Sequence, residues 1–404
     1  MIKIKKICIL LTLPMLLFSC QKIEDEALVE EKYTNINDVT TITTTTDEVV
    51  TTTEIKPENV KISFSCTGDN LIHSSIYEQA NIRAGGGENY DFTRAYENIA
   101  DLIQTPDVAV LNQETLICND VFSPSSYPCF NSPTALGNHM IDLGFDVFST
   151  ANNHTLDKGV DGLLASLDYW NLKENSTVVG VYRNLADKEN IRTRDVKGVK
   201  FSFLNYTEYL NGLSLPEGSE IIIGDAFNID GIVNDVKKAK AISDICVVCM
   251  HWGVEDSDVI SDTQRDVAQI LANAGADIII GNHPHVLRDI EMVTANDGTQ
   301  TICAYSLGNL ISAQSNGQNL IGGFLSFDID INTSDDLINF ENVKFIPVVT
   351  HYDYNYSDVR LYKFSDYTRE LADAHGVNSN SAFGYDFIVD ILKRTINNEY
   401  LVLD

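Results

Sequence analysis

Hydrophobic and polar positions change period several times along this chain, and each change marks a boundary. Residues 7–18 form an unbroken apolar run behind Lys3, Lys5 and Lys6. Residues 21–59 are polar, acidic and threonine-rich, with no apolar face from which to build a core, and are expected to be a disordered or extended linker. From Val60 onward, β-branched runs alternate with helical patterns at 92–104, 133–142, 160–171, 231–242 and 263–274. Strand, helix and strand in succession predict a parallel α/β sheet. After Gly281 consecutive strands are predicted at 286–294, 299–306, 321–331 and 341–350. This β-rich half is expected to form a sheet of its own and pack on the first, with helices outside. Helical patterns near 364–374 and 381–397 follow. The predicted organisation is one folded domain over 60–350 with a helical extension of the same domain over 351–404.

Five of the predicted strands end in side chains that ligate metals: 62–69, 108–114, 145–154, 244–252 and 276–285. The carboxyl ends of strands in a parallel sheet converge on one crevice, so Asp69, Glu114, Asn153, His251, His283 and His285 are expected to meet there. Imidazole with carboxylate suits zinc or a first-row transition metal. Of the eight histidines, His73, His154, His251, His283 and His285 lie in or just after these runs.

His73, four residues after Asp69, shares its site if a helix starts there. Period two puts Asn112 and Glu114 on one side of their strand, which makes Glu114 a candidate bridge between two ions. The amide oxygen of Asn153 is a suitable hard ligand. His154 is a candidate general acid, with Asp157 close enough in sequence to orient its ring. Glu255 stands behind His251. In an extended segment, His283-Pro284-His285 would put both rings on one side. His139 falls inside a helical pattern and is set aside. Taken singly, each motif also fits an ordinary turn or a core histidine; five in succession do not.

Composition narrows the class. With 404 residues, 44% of them apolar and 21% charged, the chain can bury a large core. A net charge of −30 argues against a nucleic-acid partner, which needs a basic surface. Residues 1–20 read as a signal peptide ending in Leu17-Phe18-Ser19-Cys20, similar to a bacterial lipobox, with Cys20 the lipidated residue. The alternative is an ordinary signal peptide with an incidental cysteine. The lipobox reading puts the protein outside the cytoplasm, anchored to a bacterial membrane by two acyl chains. Cys118 and Cys129 flank a polar loop and are a disulfide candidate. Cys246 and Cys249 read as buried apolar thiols, with a redox or zinc role as the alternative.

The motifs Gly68-Asp69 with His73, Asn112-x-Glu114, Ala151-Asn-Asn-His154 with Asp157 and Gly159, His251-Trp-Gly with Glu255, Gly281-x-His283-Pro-His285-Val286 and Tyr305-Ser-Leu-Gly-Asn309 carry a resemblance. Together they resemble the bacterial capsule-synthesis CapA-like proteins, associated with poly-γ-glutamate, within the calcineurin-like metallophosphoesterase superfamily. The resemblance implies a four-layer α/β/β/α sandwich of the metallo-dependent phosphatase type. It also implies two divalent ions (manganese, iron or zinc) held by Asp69, Glu114, Asn153, His251, His283 and His285, with His154 as general acid and Asn309 lining the pocket. Two departures stand out. The superfamily's first motif is Asp-x-His, whereas residue 71 is leucine and the histidine falls at 73; the bridging position, normally Asp, is Glu114. The implied chemistry is attack of activated water on a phosphoryl or acyl centre. The implied setting is synthesis, export or release of an anionic envelope polymer such as poly-γ-glutamate, or of its precursor. The alternatives are a non-catalytic accessory subunit of a membrane polymer-synthesis complex, or a metal-dependent envelope phosphatase.

Overall fold

The computed structural model describes residues 32–36, 39–46, 49–55, 59–332, 337–379 and 382–404. The lipobox and Cys20 lie outside them. The described residues up to 55 and those from 59 onward belong to two compact units. In the first, strands β1 (Lys32–Ile36), β2 (Val39–Thr46) and β3 (Val49–Ile55) form an antiparallel meander. The expectation here was a disordered or extended linker, and the described residues are extended. The many Thr, Val and Ile residues favour this, because β-branched side chains prefer extended backbone even in a polar sequence.

The second unit starts with β4 (Asn59–Asn70) and helices α1 (Ser74–Arg83), α2 (Thr93–Tyr96) and α3 (Asp101–Gln104). The single helix expected over 92–104 is therefore broken, with a 3-10 turn at Glu97–Ile99 between its halves. Next come β5 (Val108–Asn112), α4 (Thr134–Leu143), β6 (Val147–Ser149), α5 (Gly159–Asn171), β7 (Thr177–Val179) and β8 (Val181–Tyr182). The middle of the chain supplies α6 (Leu185–Glu189), β9 (Arg192–Val196), β10 (Val199–Thr207), β11 (Ile222–Ile223), α7 (Ile229–Lys240), β12 (Ile245–His251), α8 (Asp262–Ala274) and β13 (Ile278–Asn282). The last third contains β14 (Leu287–Thr294), β15 (Gln300–Leu307), β16 (Asn309–Ile311), β17 (Ile321–Asn332), β18 (Leu337–Asp353), β19 (Ser357–Lys363), α9 (Arg369–Ala374) and α10 (Tyr385–Thr395).

Helix ends follow local chemistry. α8 opens with a reciprocal capping box between Ser261 and Gln264 and closes on Gly275 in the left-handed conformation. α7 is capped by the Asn228 side chain and carries Lys237, Lys238 and Lys240 in its last turn, where cations oppose the helix dipole.

Two sheets form the centre. One is eight-stranded, ordered β19-β18-β17-β4-β5-β6-β7 with β16 beside β4; the other is six-stranded, ordered β14-β15-β13-β12-β10-β9. β4 to β7 run parallel, as do β10, β12, β13 and β15. The expected partition of the sheets by sequence half is not what forms. β17 pairs antiparallel with β4, so the late strands extend the first sheet, while β14 and β15 join the second. The segment 351–404 is likewise not purely helical, because β19 is an edge strand of the larger sheet.

The sheets meet through alternate side chains. Ile245, Val247 and Cys249 of β12 share a core with Ile62, Phe64 and Cys66 of β4, while Cys246, Val248 and Met250 face α7 and α8. Phe64 stacks on Phe201 from the other sheet, ring centroids 6.3 Å apart. Each such buried ring contributes about 2–3 kcal/mol. Helices therefore cover the outside of the paired sheets, the four layers that were expected.

Cys246 and Cys249 are buried free thiols, as read from sequence. The expected Cys118–Cys129 disulfide does not form. Cys118 is buried with its thiol 3.1 Å from Asn131 Oδ1, and Cys129 is exposed. Among the described residues, no helix is long and apolar enough to cross a membrane.

Candidate metal centre

Apolar runs that stop abruptly at a polar residue bring the donors together. Asp69 is the penultimate residue of β4, Asn112 ends β5 and His251 ends β12, and all three are buried. The approach of β4 to the β15–β16 junction needs glycine: a Cβ on Gly68 would sit 1.8 Å from the Gly308 carbonyl oxygen. Asn309 follows directly and lies opposite Asp69 in the β4–β16 pairing.

Two sets of donor atoms result. In one, His251 Nε2 lies 3.0 Å from Asn153 Oδ1 and 3.1 Å from His283 Nδ1. In the other, His285 Nδ1 lies 3.1 Å from Asp69 Oδ2 and 3.0 Å from Asn309 Oδ1. Glu114 stands between them, its Oε1 3.9 Å from His251 Nε2 and 3.7 Å from His285 Nε2. Both Glu114 carboxylate oxygens are buried and neither has a hydrogen-bond partner. Asp69, Glu114 and His285 can present ligand atoms that all lie within 4.8 Å of one another.

An isolated buried carboxylate costs several kcal/mol unless a cation or donors meet it. Burial, then the Asp69 carboxylate, push the Glu114 carboxyl well above its ordinary range. Burial disfavours charge on His285, but Glu114 and Asp69 outweigh it and push the imidazole up to about 10. Burial and the neighbouring imidazoles hold His251 well below the ordinary histidine range, and burial takes His283 down to about 3. His251 and His283 are thus held neutral, as ligands must be. An ion binding at Glu114 and His285 would displace the protons these two hold on each other's account, and with that exchange the donor set fits the implied metals.

The family-model match, described as bacterial capsule synthesis protein PGA_cap, runs over residues 63–314 and takes in every one of these donors. The chain belongs to this family. It is 35% identical over 175 residues to the PGA biosynthesis protein CapA of Bacillus subtilis (strain 168), a match covering 43% of this chain and 44% of that protein. It is 32% identical over 178 residues to the capsule biosynthesis protein CapA of Bacillus anthracis, covering 43% and 41%. The matched part is thus less than half the length of either relative. Similar solved structures include a Staphylococcus aureus protein assigned as a 5′-nucleotidase, in complex with α-ketoglutarate (TM-score 0.45, 17% identity, 71% of this chain and 54% of that one). Another is a Mycoplasma pneumoniae phosphatase (TM-score 0.44, 12% identity, 72% and 94%).

Two sequence expectations about the donors change. His283 and His285 are not extended, because both have positive φ, 98° and 59°, a strained conformation for non-glycine residues. The strain turns the rings apart, centroids 6.1 Å from each other, so that each joins a different donor set. His73 precedes α1, as the helix expectation required, but its Nδ1 accepts the Ala313 N–H at 3.2 Å. Burial takes its pKa down to about 4. That nitrogen, also 3.2 Å from the Leu71 carbonyl oxygen, is engaged by the backbone, and the contacts that define the two donor sets do not include His73.

The remaining candidates act around the centre. Asn112 donates to Asp69 Oδ1 at 2.6 Å, which makes it an orienting group for that carboxylate. His154 Nδ1 contacts Asp157 Oδ2 at 2.7 Å, and the same oxygen accepts the Phe130 N–H at 2.6 Å. Glu255 is exposed at the rim, its Oε1 3.5 Å from Asn153 Nδ2. Two neighbours escaped sequence reading because the loop after β10 carries no motif. Tyr209 stacks on His283 with centroids 4.8 Å apart, and Asn211 Oδ1 accepts from Asn153 Nδ2 at 3.3 Å.

Proposed function

We propose that this domain is a dinuclear-metal hydrolase of the cell envelope, acting on an anionic capsule polymer or its precursor. The observation that carries this reading is Glu114, a fully buried carboxylate with two unmet oxygens between two sets of nitrogen and oxygen donors. Asp69, His285 and Glu114 would hold one divalent ion; Asn153, His251, His283 and Glu114 would hold the other. Ions bound there supply an acidified water and positive charge opposite the oxygen of a phosphoryl or acyl group.

The chain's own residues set up the rest. Asn112 holds Asp69 in place through one carboxylate oxygen and leaves the other facing His285. Asp157 fixes the ring orientation of His154, which is thereby prepared to give a proton to the leaving oxygen. The polymer as substrate class comes from the capsule and PGA biosynthesis named for the relatives. Bound cations would offset the acidity of the chain locally, allowing an anionic substrate to approach. Under the same reading Cys20 anchors the protein to a membrane, and Cys20→Ala should shift it from the membrane to the soluble fraction on cell fractionation.

The direct test is elemental analysis of the purified chain after reconstitution with manganese, iron or zinc. About two ions per chain are expected, falling to none in the His283→Ala/His285→Ala variant. A wild-type chain that takes up no metal would sink the hydrolase and leave an accessory role in polymer synthesis.

A further inference from the structure

Glu114 has a side-chain amide on each side of it. Asn153 Oδ1 belongs to the set built on His251 and His283, and Asn309 Oδ1 to the set built on Asp69 and His285. We propose that Asn309 is a metal ligand, its side-chain carbonyl oxygen completing the Asp69–His285 half of the centre. The assignment rests on the dinuclear reading above.

The first argument is orientation. Asn309 Nδ2 faces Gln314 Oε1 at 2.8 Å, the Asn319 carbonyl oxygen at 2.8 Å and Ser312 Oγ at 3.2 Å. A backbone carbonyl accepts and never donates, so it can face only the NH2 end of the amide. Asn309 Oδ1 is thereby turned toward His285, and the residue is 1% exposed.

The second is an unmet demand. His285 Nδ1 has Asp69 Oδ2 at 3.1 Å and Asn309 Oδ1 at 3.0 Å. Asp69 Oδ2 also accepts the His283 backbone N–H at 3.3 Å, whereas Asn309 Oδ1 has the ring nitrogen as its one partner among the described residues. A single N–H serves only one of two converging oxygens well. A cation accepted by all three atoms satisfies every one.

The third is how this part of the chain is held. β16 is fixed to β4 by pairing of Asn309 with Asp69, by the close approach of Gly68 to Gly308, and by the bond from Leu71 N–H to the Ile311 carbonyl oxygen at 3.1 Å. Leu71 brings no donor of its own. His73, the nearest imidazole in sequence, uses its Nδ1 to accept the Ala313 N–H and so secures the segment that carries Asn309. Held in this way, the amide is pre-organised toward the centre.

The test counts ions and asks whether they are coupled. The full chain is titrated with Mn2+, the bound metal is measured after desalting, and the electron paramagnetic resonance spectrum is recorded. Wild type should hold two ions with a spin-coupled spectrum. Asn309→Leu should hold one ion with an uncoupled signal, the second site weakened at least about 10–100-fold. Asn309→Asp, which keeps an oxygen ligand but loses the NH2 contacts, should still hold two. Two coupled ions in Asn309→Leu would overturn the assignment while leaving the dinuclear reading intact. So would an Asn309→Asp chain no better than Asn309→Leu, because that pattern belongs to a purely structural amide. No ion in the wild type would remove both readings together. If Asn309→Leu does not fold, as judged by circular dichroism, Asn309→Ser takes its place with the same expected loss of one ion.

Discussion

His351 and His375 lie ring beside ring with centroids 4.7 Å apart, the same separation as His251 and His283. Both pairs are buried. In the first pair every ring nitrogen has its own protein partner. His375 Nδ1 accepts the Val377 N–H at 3.0 Å and its Nε2 donates to the Thr350 carbonyl oxygen at 3.0 Å. His351 Nδ1 meets the Tyr367 hydroxyl at 2.7 Å and its Nε2 lies 3.3 Å from Asp353 Oδ1. In the second pair two ring nitrogens face each other at 3.1 Å, beside a carboxylate with no partner at all. A buried imidazole is structural when the protein satisfies both of its nitrogens. Where a shortfall is left, the fold is keeping room for something else.

The largest expected effect is loss of stability in acid, to which the C-terminal pair contributes beside the lowered His251 and His283 of the metal-free centre. Burial lowers His351 and His375 to about 4 each, below the usual 6.5. The unfolded chain therefore takes up their protons first. Stability is at its full value above pH 6.5 and falls as pH drops from 6.5 toward 4, by up to about 3 kcal/mol per histidine. Urea unfolding at pH 7.5 and pH 4.5 should show this fall, and a His351→Gln/His375→Gln variant should show a shallower one. Equal slopes would mean that the C-terminal pair contributes nothing to the acid sensitivity.

Paired substitutions sharpen the contrast at neutral pH. His375→Ala should cost about 2–4 kcal/mol by opening a cavity and stranding the Val377 N–H, with metal content unchanged. Glu114→Gln should lose metal, yet raise the melting temperature of the metal-free protein by relieving a buried carboxylate, a gain of about 1–3 kcal/mol. If both variants shift stability in the same direction, the comparison fails. The smallest effect is expected at Cys129, exposed and unbonded: Cys129→Ser should change stability by less than about 0.5 kcal/mol, read from thermal melts with and without reductant. A reductant-sensitive melt in the wild type alone would restore the disulfide.

The positions of Asp69, Asn112 and His251 were legible because a short apolar run that stops at a polar residue is a local pattern. So was the Asp157 contact to His154, three residues away in sequence. What escaped depends on distant chain. The pairing of β17 with β4 joins segments more than 200 residues apart, and no local period reports it. The positive φ at His283 and His285 has no signal in sequence spacing, which alone reads as an extended segment. His73 has the spacing of a ligand, but its ring nitrogen meets an N–H at residue 313. In the threonine-rich stretch, polarity left disorder and extension equally open, and β-branching favours the extended strands.

The interleaving of the larger sheet has a further consequence. β4 pairs on one edge with β5, which follows it closely, and on the other with β16 and β17, which emerge far later in synthesis. His73 waits for Ala313 across 240 residues. A nascent chain therefore owns some of the donors but no finished centre until β16 and β17 are free to pair with β4. Any ion the centre takes would be bound by a nearly complete chain, so metal loading is a late event rather than one that guides the early strands together.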